Sequence, residues 1–415
     1  MIVPLVKAVA DTCGGKAGAL GALLRAGLPV PNGFVVPFAA YLAAVRDLDL
    51  GRLAGEPEGV AAARRTIEAR PVHAAVIDAL GRALGEIGDP PVAVRSSAAK
   101  EDTGQASAAG QHESFLAVHG ADEVAKAVRA CWASLFSPRA VAYRAASGRA
   151  GHPSDDLLMA VIVQRHLDAE ASGVMFTPAD SGEATRIEAS WGLGPSIVEG
   201  RVTPDAYLVA ADGSVTRTIA DKRQRLDRRG ARLVVEDVPA AARNRPAVGD
   251  ATATRLAALG RRIAAVLGGP QDIEWAIADG RAWVLQARPV TAALPPSAAR
   301  SRVSGIPSAT LTGTPGSRGT ATGTARIVRG PGDFARVRPG DILVCPFTDP
   351  AWTPLLRIAA GVVTETGGVL SHAAIVAREH AIPAVLGIPD ATSRLRDDTV
   401  VTVDGTNGTV TAANA

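Results

Sequence analysis

Residues 291 to 307, TAALPPSAARSRVSGIP, interrupt the hydrophobic periodicity of the chain and separate two stretches of different pattern. The segment is rich in Pro, Ser and Ala and reads as a flexible linker. Upstream, residues 1 to 290 alternate helical patterns with short strand-like runs. AGALGALLRAG (17 to 27), VAKAVRACWASLF (124 to 136) and ATRLAALGRRIAAVLG (253 to 268) are the helices; FVVP, VAVRSS, LMAVIVQRHL, SGVMFTP, DAYLVA and DIEWAIADGRAWVLQA are the strands. That alternation predicts a mixed α/β (α+β) unit. Downstream, residues 308 to 415 change to TATGTARIV, DILVCPF and GVVTET, one helix SHAAIVAREH, then PAVLG, VVTVDG and GTVTA. This predicts a strand-rich unit of about a hundred residues, a normal size for an independent domain. The full 415 residues suit two to three domains.

Forty-four Lys and Arg against 41 Asp and Glu leave a formal net charge of +3, too small on this length for nucleic acid or an anionic membrane to be the main partner. Small phosphate-bearing molecules need only local positive charge and stay open. Cys13, Cys131 and Cys345 are odd in number, far apart and form no CxxC pair, so neither a disulfide framework nor a zinc site is indicated. No apolar run reaches the ~18 residues of a spanning helix, and the amino terminus lacks a secretory pattern. A cytoplasmic protein is the expectation.

Four words carry chemistry. In GGKAGALGALLRAG, Gly14 and Gly15 precede Lys16 and a helix, so backbone amides and one ammonium can converge on an anion. The GxxxxGK[ST] order is absent, and taken alone an exposed lysine after a turn fits better. In PPVAVRSSAAKEDTGQASAAGQHESFL, Arg95 ends a strand ahead of a small-residue loop, which suits a bidentate phosphate contact and equally a local carboxylate. In PQDIEWAIADGRAWVLQARPVT, alternation puts Asp272 and Glu274 on one strand face, and a turn around Ala278 to Gly280 brings back Gln286 and Arg288. Those oxygens can hold magnesium, with Arg288 left for a phosphate. The alternative is a solvated hairpin, against which Trp275 and Trp283 argue for a buried face.

The most specific word is TETGGVLSHAAIVAREHAIPAVLG, residues 364 to 387. Ser371 is placed as a helix N-cap, setting His372 in the first turn after Gly367 and Gly368. A helix amino end disfavours imidazolium and favours a phosphorylated ring, so one position serves both halves of a covalent relay. His73, His112, His119, His152, His166 and His380 lack such surroundings and read as ordinary histidines.

In order along nearly the whole chain, these words resemble the phosphoenolpyruvate synthase and pyruvate phosphate dikinase family, which includes rifampin phosphotransferase. GGKAGALGALLRAGLPVPNGFVV, AVRSSA, AGQHESFL, CWASLFSPRAVAYR, MAVIVQRHLDAEASGVMFT, GLGPSIVEGRVTPDAY and DIEWAI with LQARPVT are similar to its ATP-grasp domain. GDILVCPFTDPAWTP, TGGVLSHAAIVARE, IPAVLG and VTVDG are similar to its phosphohistidine swivelling domain. The resemblance implies ATP and Mg2+ as cofactors: phosphate contacts from Lys16, Arg95 and Arg288, magnesium ligation by Glu274 and Gln286, support from Asp272, and a phosphorylated His372. Gln164 resembles the end of the adenine-side hinge strand, where contacts run through the backbone. Thr364, Gly367 and Gly368 resemble the loop that presents the histidine.

Departures fall at Lys100 and at Ser107, Ala108, Ala109 and Gly110, where relatives usually read SFAGQ, and at Leu370–Ser371, closer to the rifampin phosphotransferase type than to Thr-Cys-His. Neither the carboxy-terminal barrel of the pyruvate enzymes nor an inserted acceptor domain is read in these residues. The expectation is therefore a dikinase-type phosphotransferase that phosphorylates its own His372 with release of AMP and passes the phosphate to an unidentified small-molecule acceptor. The acceptor site belongs to a separate subunit or lies between the two domains of a compact kinase acting on pyruvate or a hydroxyl. A non-catalytic ATP-responsive regulator is the third reading, and it leaves the nucleophile without a use.

Overall fold

The computed structural model describes residues 2–49, 57–99, 113–138, 140–141, 144, 157–180, 182–290 and 310–412. The expected linker 291 to 307, together with Lys100 and Ser107 to Gly110, lies outside the described residues.

Val3–Pro4 (β1), Gly33–Val36 (β2), Val92–Ala98 (β3), Ser114–Val118 (β4) and Met159–Arg165 (β5) form an antiparallel sheet of order β1-β2-β5-β3-β4. Ala171–Phe176 (β6), Thr185–Trp191 (β7), Asp205–Val209 (β8) and Val215–Thr218 (β9) belong to a second sheet; the hairpin Gln224–Arg229 (β10) and Arg232–Asp237 (β11) stands apart. With Gln271–Ala278 (β12) and Arg281–Pro289 (β13), the second sheet has order β13-β12-β6-β7-β8-β9.

The strands of these sheets are apolar on both faces because both faces are covered. On β5, Val161 and Val163 pack with Tyr41, Val124 and Trp132, whereas Ala160 and Ile162 join Leu20 and Leu23 of the helix Ala10–Arg25. That second cluster continues through Met175, Ile187, Ile273 and Trp275 to Leu256 and Ile263 of the helix Asp250–Leu267. Period-two alternation consequently turns Val174, Phe176, Glu188, Asp272 and Glu274 to the opposite face of the second sheet. The β12–β13 turn has Asp279 and Gly280 at φ 52° and 67°, as a two-residue hairpin turn requires.

Residues 310–412 build an eight-stranded mixed sheet. Its strands are Thr310–Thr312 (β14), Thr314–Ser317 (β15), Thr320–Ile327 (β16), Ile342–Cys345 (β17), Gly361–Thr364 (β18), Ala384–Leu386 (β19), Val400–Asp404 (β20) and Thr409–Ala412 (β21), in the order β14-β21-β20-β16-β17-β18-β19-β15. The run β16-β17-β18-β19 is parallel, and the helix His372–Glu379 is the crossover from β18 to β19. Among the described residues no helix is long and apolar enough to cross a membrane.

Candidate active site

Strand register sets the site. Across β12–β13, Asp272 faces Arg288 and Glu274 faces Gln286; across β6 and β7, Glu274 lies level with Val174 and Glu188, and Asp272 level with Phe176 and Arg186. Residues directly opposite in a ladder share a face. One row of that face therefore reads Gln286, Glu274, Val174, Glu188, and the next reads Arg288, Asp272, Phe176, Arg186. With strands ~4.8 Å apart, the backbones of Glu274 and Glu188 are separated by about 10 Å.

The register shifts after Glu274, leaving Leu285 unpaired on β13, and Arg95 Nη1 donates to the Leu285 carbonyl at 3.1 Å. Arg95 Nη2 lies 3.6 Å from Glu274 Oε2, while its buried Nε has no partner among the described residues. Arg288 is not left over for a phosphate in this state: its Nε donates to Asp272 Oδ2 at 2.8 Å and its Nη2 lies 2.7 Å from the same oxygen. Gln164 is buried, its side chain donating to the Pro31 carbonyl at 3.1 Å, with its backbone level with Gly33 and Ala93. A kink at Gly14 (φ 81°, ψ 164°) divides the run Ala10–Arg25 into two helices, so the one carrying Lys16 starts at the glycine pair, as its sequence predicts, and Ala17 N donates to Ser97 Oγ at 3.1 Å. A Cβ at Gly14 would come within 2.3 Å of the Ser97 carbonyl, so this close approach to β3 needs glycine. Lys16 is half-buried on the first turn after the kink.

His372 opens its helix, with Ser371 in the N-cap position. The expected side-chain cap does not form: the Ser371 hydroxyl donates instead to the Gly368 carbonyl at 2.8 Å, closing the loop on itself. The imidazole is 4% exposed, with Nδ1 2.9 Å from Thr348 Oγ1 and Nε2 3.3 Å from Thr353 Oγ1. Its pKa falls from 6.5 to about 3, first because the ring is buried and then because of the Arg288 charge. The ring is thus kept neutral by burial and a neighbouring cation, where the sequence suggested the helix end.

The loop before His372 rests on the second sheet. Val369 N donates to Glu188 Oε1 at 2.6 Å and Leu370 N to Glu188 Oε2 at 3.1 Å. Leu370 packs with Val174, Phe176, Ile197 and Val202; the Thr366 hydroxyl lies 2.6 Å from the Gly200 carbonyl; the Arg201 guanidinium stacks 4.7 Å from the Phe347 ring centroid. Arg378, one helix turn and more beyond His372, donates to the carbonyls of Gly316 and Val369 at 2.9 and 2.8 Å. Burial pushes the Glu188 carboxyl up to about 7, against the two amides and the charges of Arg378 and Arg186. Glu188, Thr348 and Thr353 were not singled out in the sequence. The available signal was a lone acid in the strand-like TRIEASW, and two threonines bracketing the DPAW turn.

This packing predicts a pH dependence. A ring held near pKa 3 when buried and at 6.5 when solvated refuses a proton that the released ring accepts. The packed state is therefore fully favoured above pH 6.5 and loses about tenfold (~1.4 kcal/mol) per pH unit below it, down to about pH 3. Amide exchange of the helix His372–Glu379, corrected for intrinsic rates, should show protection that falls about fivefold between pH 6.5 and pH 5.5 relative to the same interval in His372→Asn, because the buried Glu188 carboxyl, raised to about 7, pulls the parent's net dependence the other way. His372→Asn isolates this dependence from the opposite trend of Glu188; equal slopes in parent and variant would remove His372 as its source.

Residues 10–303 match the family described as "Pyruvate phosphate dikinase, AMP/ATP-binding domain". The chain belongs to the phosphoenolpyruvate synthase and pyruvate phosphate dikinase family. Residues 337–408 match the family's "PEP-utilising enzyme, mobile domain". The "Probable phosphoenolpyruvate synthase" of Methanothermobacter thermautotrophicus is 38% identical over 96% of this chain and 61% of that protein. The "Phosphoenolpyruvate synthase" of Aeropyrum pernix is 36% identical over 96% of this chain and 56% of its own length, and that of Pyrococcus furiosus 34% over 98% and 57%. The chain thus spans between 56 and 61% of these relatives. The family and the mixed α/β fold expected from the sequence both hold.

For this dikinase-family chain the donor chemistry suits a nucleotide-bound magnesium ion. Among the described residues no group of three or more His, Cys, Asp or Glu could hold a metal by itself. Glu274 and Gln286 supply two hard oxygens from facing strand positions, and magnesium is commonly held by one or two protein ligands completed by phosphates and water. The buried, unpartnered Nε of Arg95 beside them suits a phosphate oxygen.

Proposed function

We propose that the protein transfers a phosphoryl group from ATP to its own His372, releasing AMP, and passes it on to an acceptor. The single observation that carries this reading is that the loop leading into the neutral His372 rests on the sheet face bearing Glu274, Gln286 and Arg288, near enough for the Arg288 charge to reach the ring. Residues 1–290 are taken as the nucleotide domain, 308–415 as the mobile domain and 291–307 as the hinge between them.

In this proposal Lys16, Arg95 and Arg288 take the ATP phosphates, Arg95 and Arg288 exchanging Glu274 and Asp272 for phosphate oxygens, and the backbone at Gln164 takes the adenine side. Glu274 and Gln286 would hold magnesium, which would supply positive charge to offset that of the phosphates. Nδ1 keeps its hydrogen on Thr348, the shorter and more buried of the two contacts, and Nε2 presents its lone pair. Nε2 attacks the β-phosphorus; the bond from the bridging oxygen to that phosphorus breaks, and AMP leaves with the oxygen. The pyrophosphoryl group then loses its terminal phosphate to water or inorganic phosphate, leaving phosphohistidine. The acceptor, pyruvate by analogy with the relatives' names, is bound outside the residues that hold ATP, on a further segment or a separate subunit. Mapping acid-labile phosphate after incubation with Mg·ATP tests the reading: it should lie on the peptide containing His372, and stable phosphate on another residue would overturn it.

A further inference from the structure

We propose that Glu188, on β7 of the ATP-binding domain, is the positioning residue that docks the histidine loop, its two carboxylate oxygens receiving the backbone amides of Val369 and Leu370. The proposal rests on the reading above for its purpose and on geometry for its existence. Both oxygens are engaged, at 2.6 and 3.1 Å, and the residue is 3% exposed. The approach is closest at Gly368, where a Cβ would lie 2.3–2.4 Å from the Glu188 carboxylate. Gly368 is not among the glycines at positive φ, so its lack of a side chain serves this approach rather than a left-handed backbone.

The position follows from register. Glu188 and Glu274 flank Val174 in one row of the same face, and Leu370 covers Val174 and Phe176 between them. A loop held by Glu188 is therefore delivered beside the strand that carries Glu274. Because the donors are backbone amides, the carboxylate selects a loop conformation, with both N–H groups turned the same way, and that conformation leads directly into the helix of His372. Adjacent amides presented to two oxygens of one carboxylate make charge-assisted bonds. Burying the carboxylate opposes them, which limits the net gain and suits a domain that must leave again.

Spin labels on Leu42→Cys and Val400→Cys, both exposed in the parent and one on each domain, report the pose, since Cys13, Cys131 and Cys345 are buried. The parent should give a narrow interdomain distance, and Glu188→Ala and Gly368→Ala a longer, broader one. In both variants labelling of His372 from ATP should slow about 100-fold with ATP Kd within about threefold of the parent. The double variant should be no slower than Glu188→Ala, since the new Cβ no longer meets a carboxylate. Gly368→Ala lies on the other domain and decides the matter should Glu188→Ala fold poorly. Unchanged distances, or an ATP affinity that falls as far as the labelling rate, would overturn the proposal. A parent that takes no label would refute the phosphotransfer reading while the distances still judge the docking.

Discussion

His372→Asn should lose covalent labelling by ATP by at least ~10³-fold while ATP Kd stays within about threefold of the parent. Asparagine keeps a polar group at the height of Nδ1, so the bond to Thr348 can persist, but it offers no nucleophilic nitrogen. The ring's polar partners, Thr348 and Thr353, both lie on the mobile domain, and the groups proposed to hold the phosphates lie on the other. Removing a nucleophile should therefore change the chemical step and spare binding. Equilibrium binding of a fluorescent ATP analogue alongside filter-bound label measures both; a variant that binds ATP tenfold more weakly would mean that the histidine anchors the nucleotide.

Glu274→Gln should lower the labelling rate by about 10²–10³-fold and raise the magnesium concentration needed for half-maximal rate. The substitution keeps the side chain's size and its place opposite Gln286 on β13. It removes the charge that a magnesium ion would meet and the carboxylate that Arg95 approaches at 3.6 Å. Released from that ion pair, Arg95 remains free to meet phosphate, so binding of ATP without magnesium should be nearly unchanged. Titration of the labelling rate with magnesium at fixed ATP is the measurement. A rate and a magnesium dependence equal to the parent's would remove Glu274 from the metal's coordination.

The β12–β13 hairpin was legible because every level of the sequence agreed there. Alternation placed Asp272 and Glu274 together, Asp279 and Gly280 supplied the turn, and Trp275 marked the buried face. Glu188 was not legible. It occupies an ordinary polar position in a strand, and what buries it is a loop 181 and 182 positions further along the chain. Burial is the first cause of the neutral His372, and the same distance effect hid the second, the Arg288 charge that reaches the ring from β13. Ser371 looked like a cap from its residue type, but the nearby Gly368 carbonyl competes for its hydroxyl.

The most direct test of the central claim is which phosphate of ATP the protein retains. Parallel incubations with ATP labelled at the β or the γ position, under Mg2+ and with nucleotide products separated, should leave acid-labile, base-stable β-label on the parent and none on His372→Asn. AMP should form in step with that label, and the γ-label should be released as inorganic phosphate or pyrophosphate. Retention of γ-label alone, with ADP as the only nucleotide product, would contradict attack on the β-phosphorus and with it the dikinase assignment.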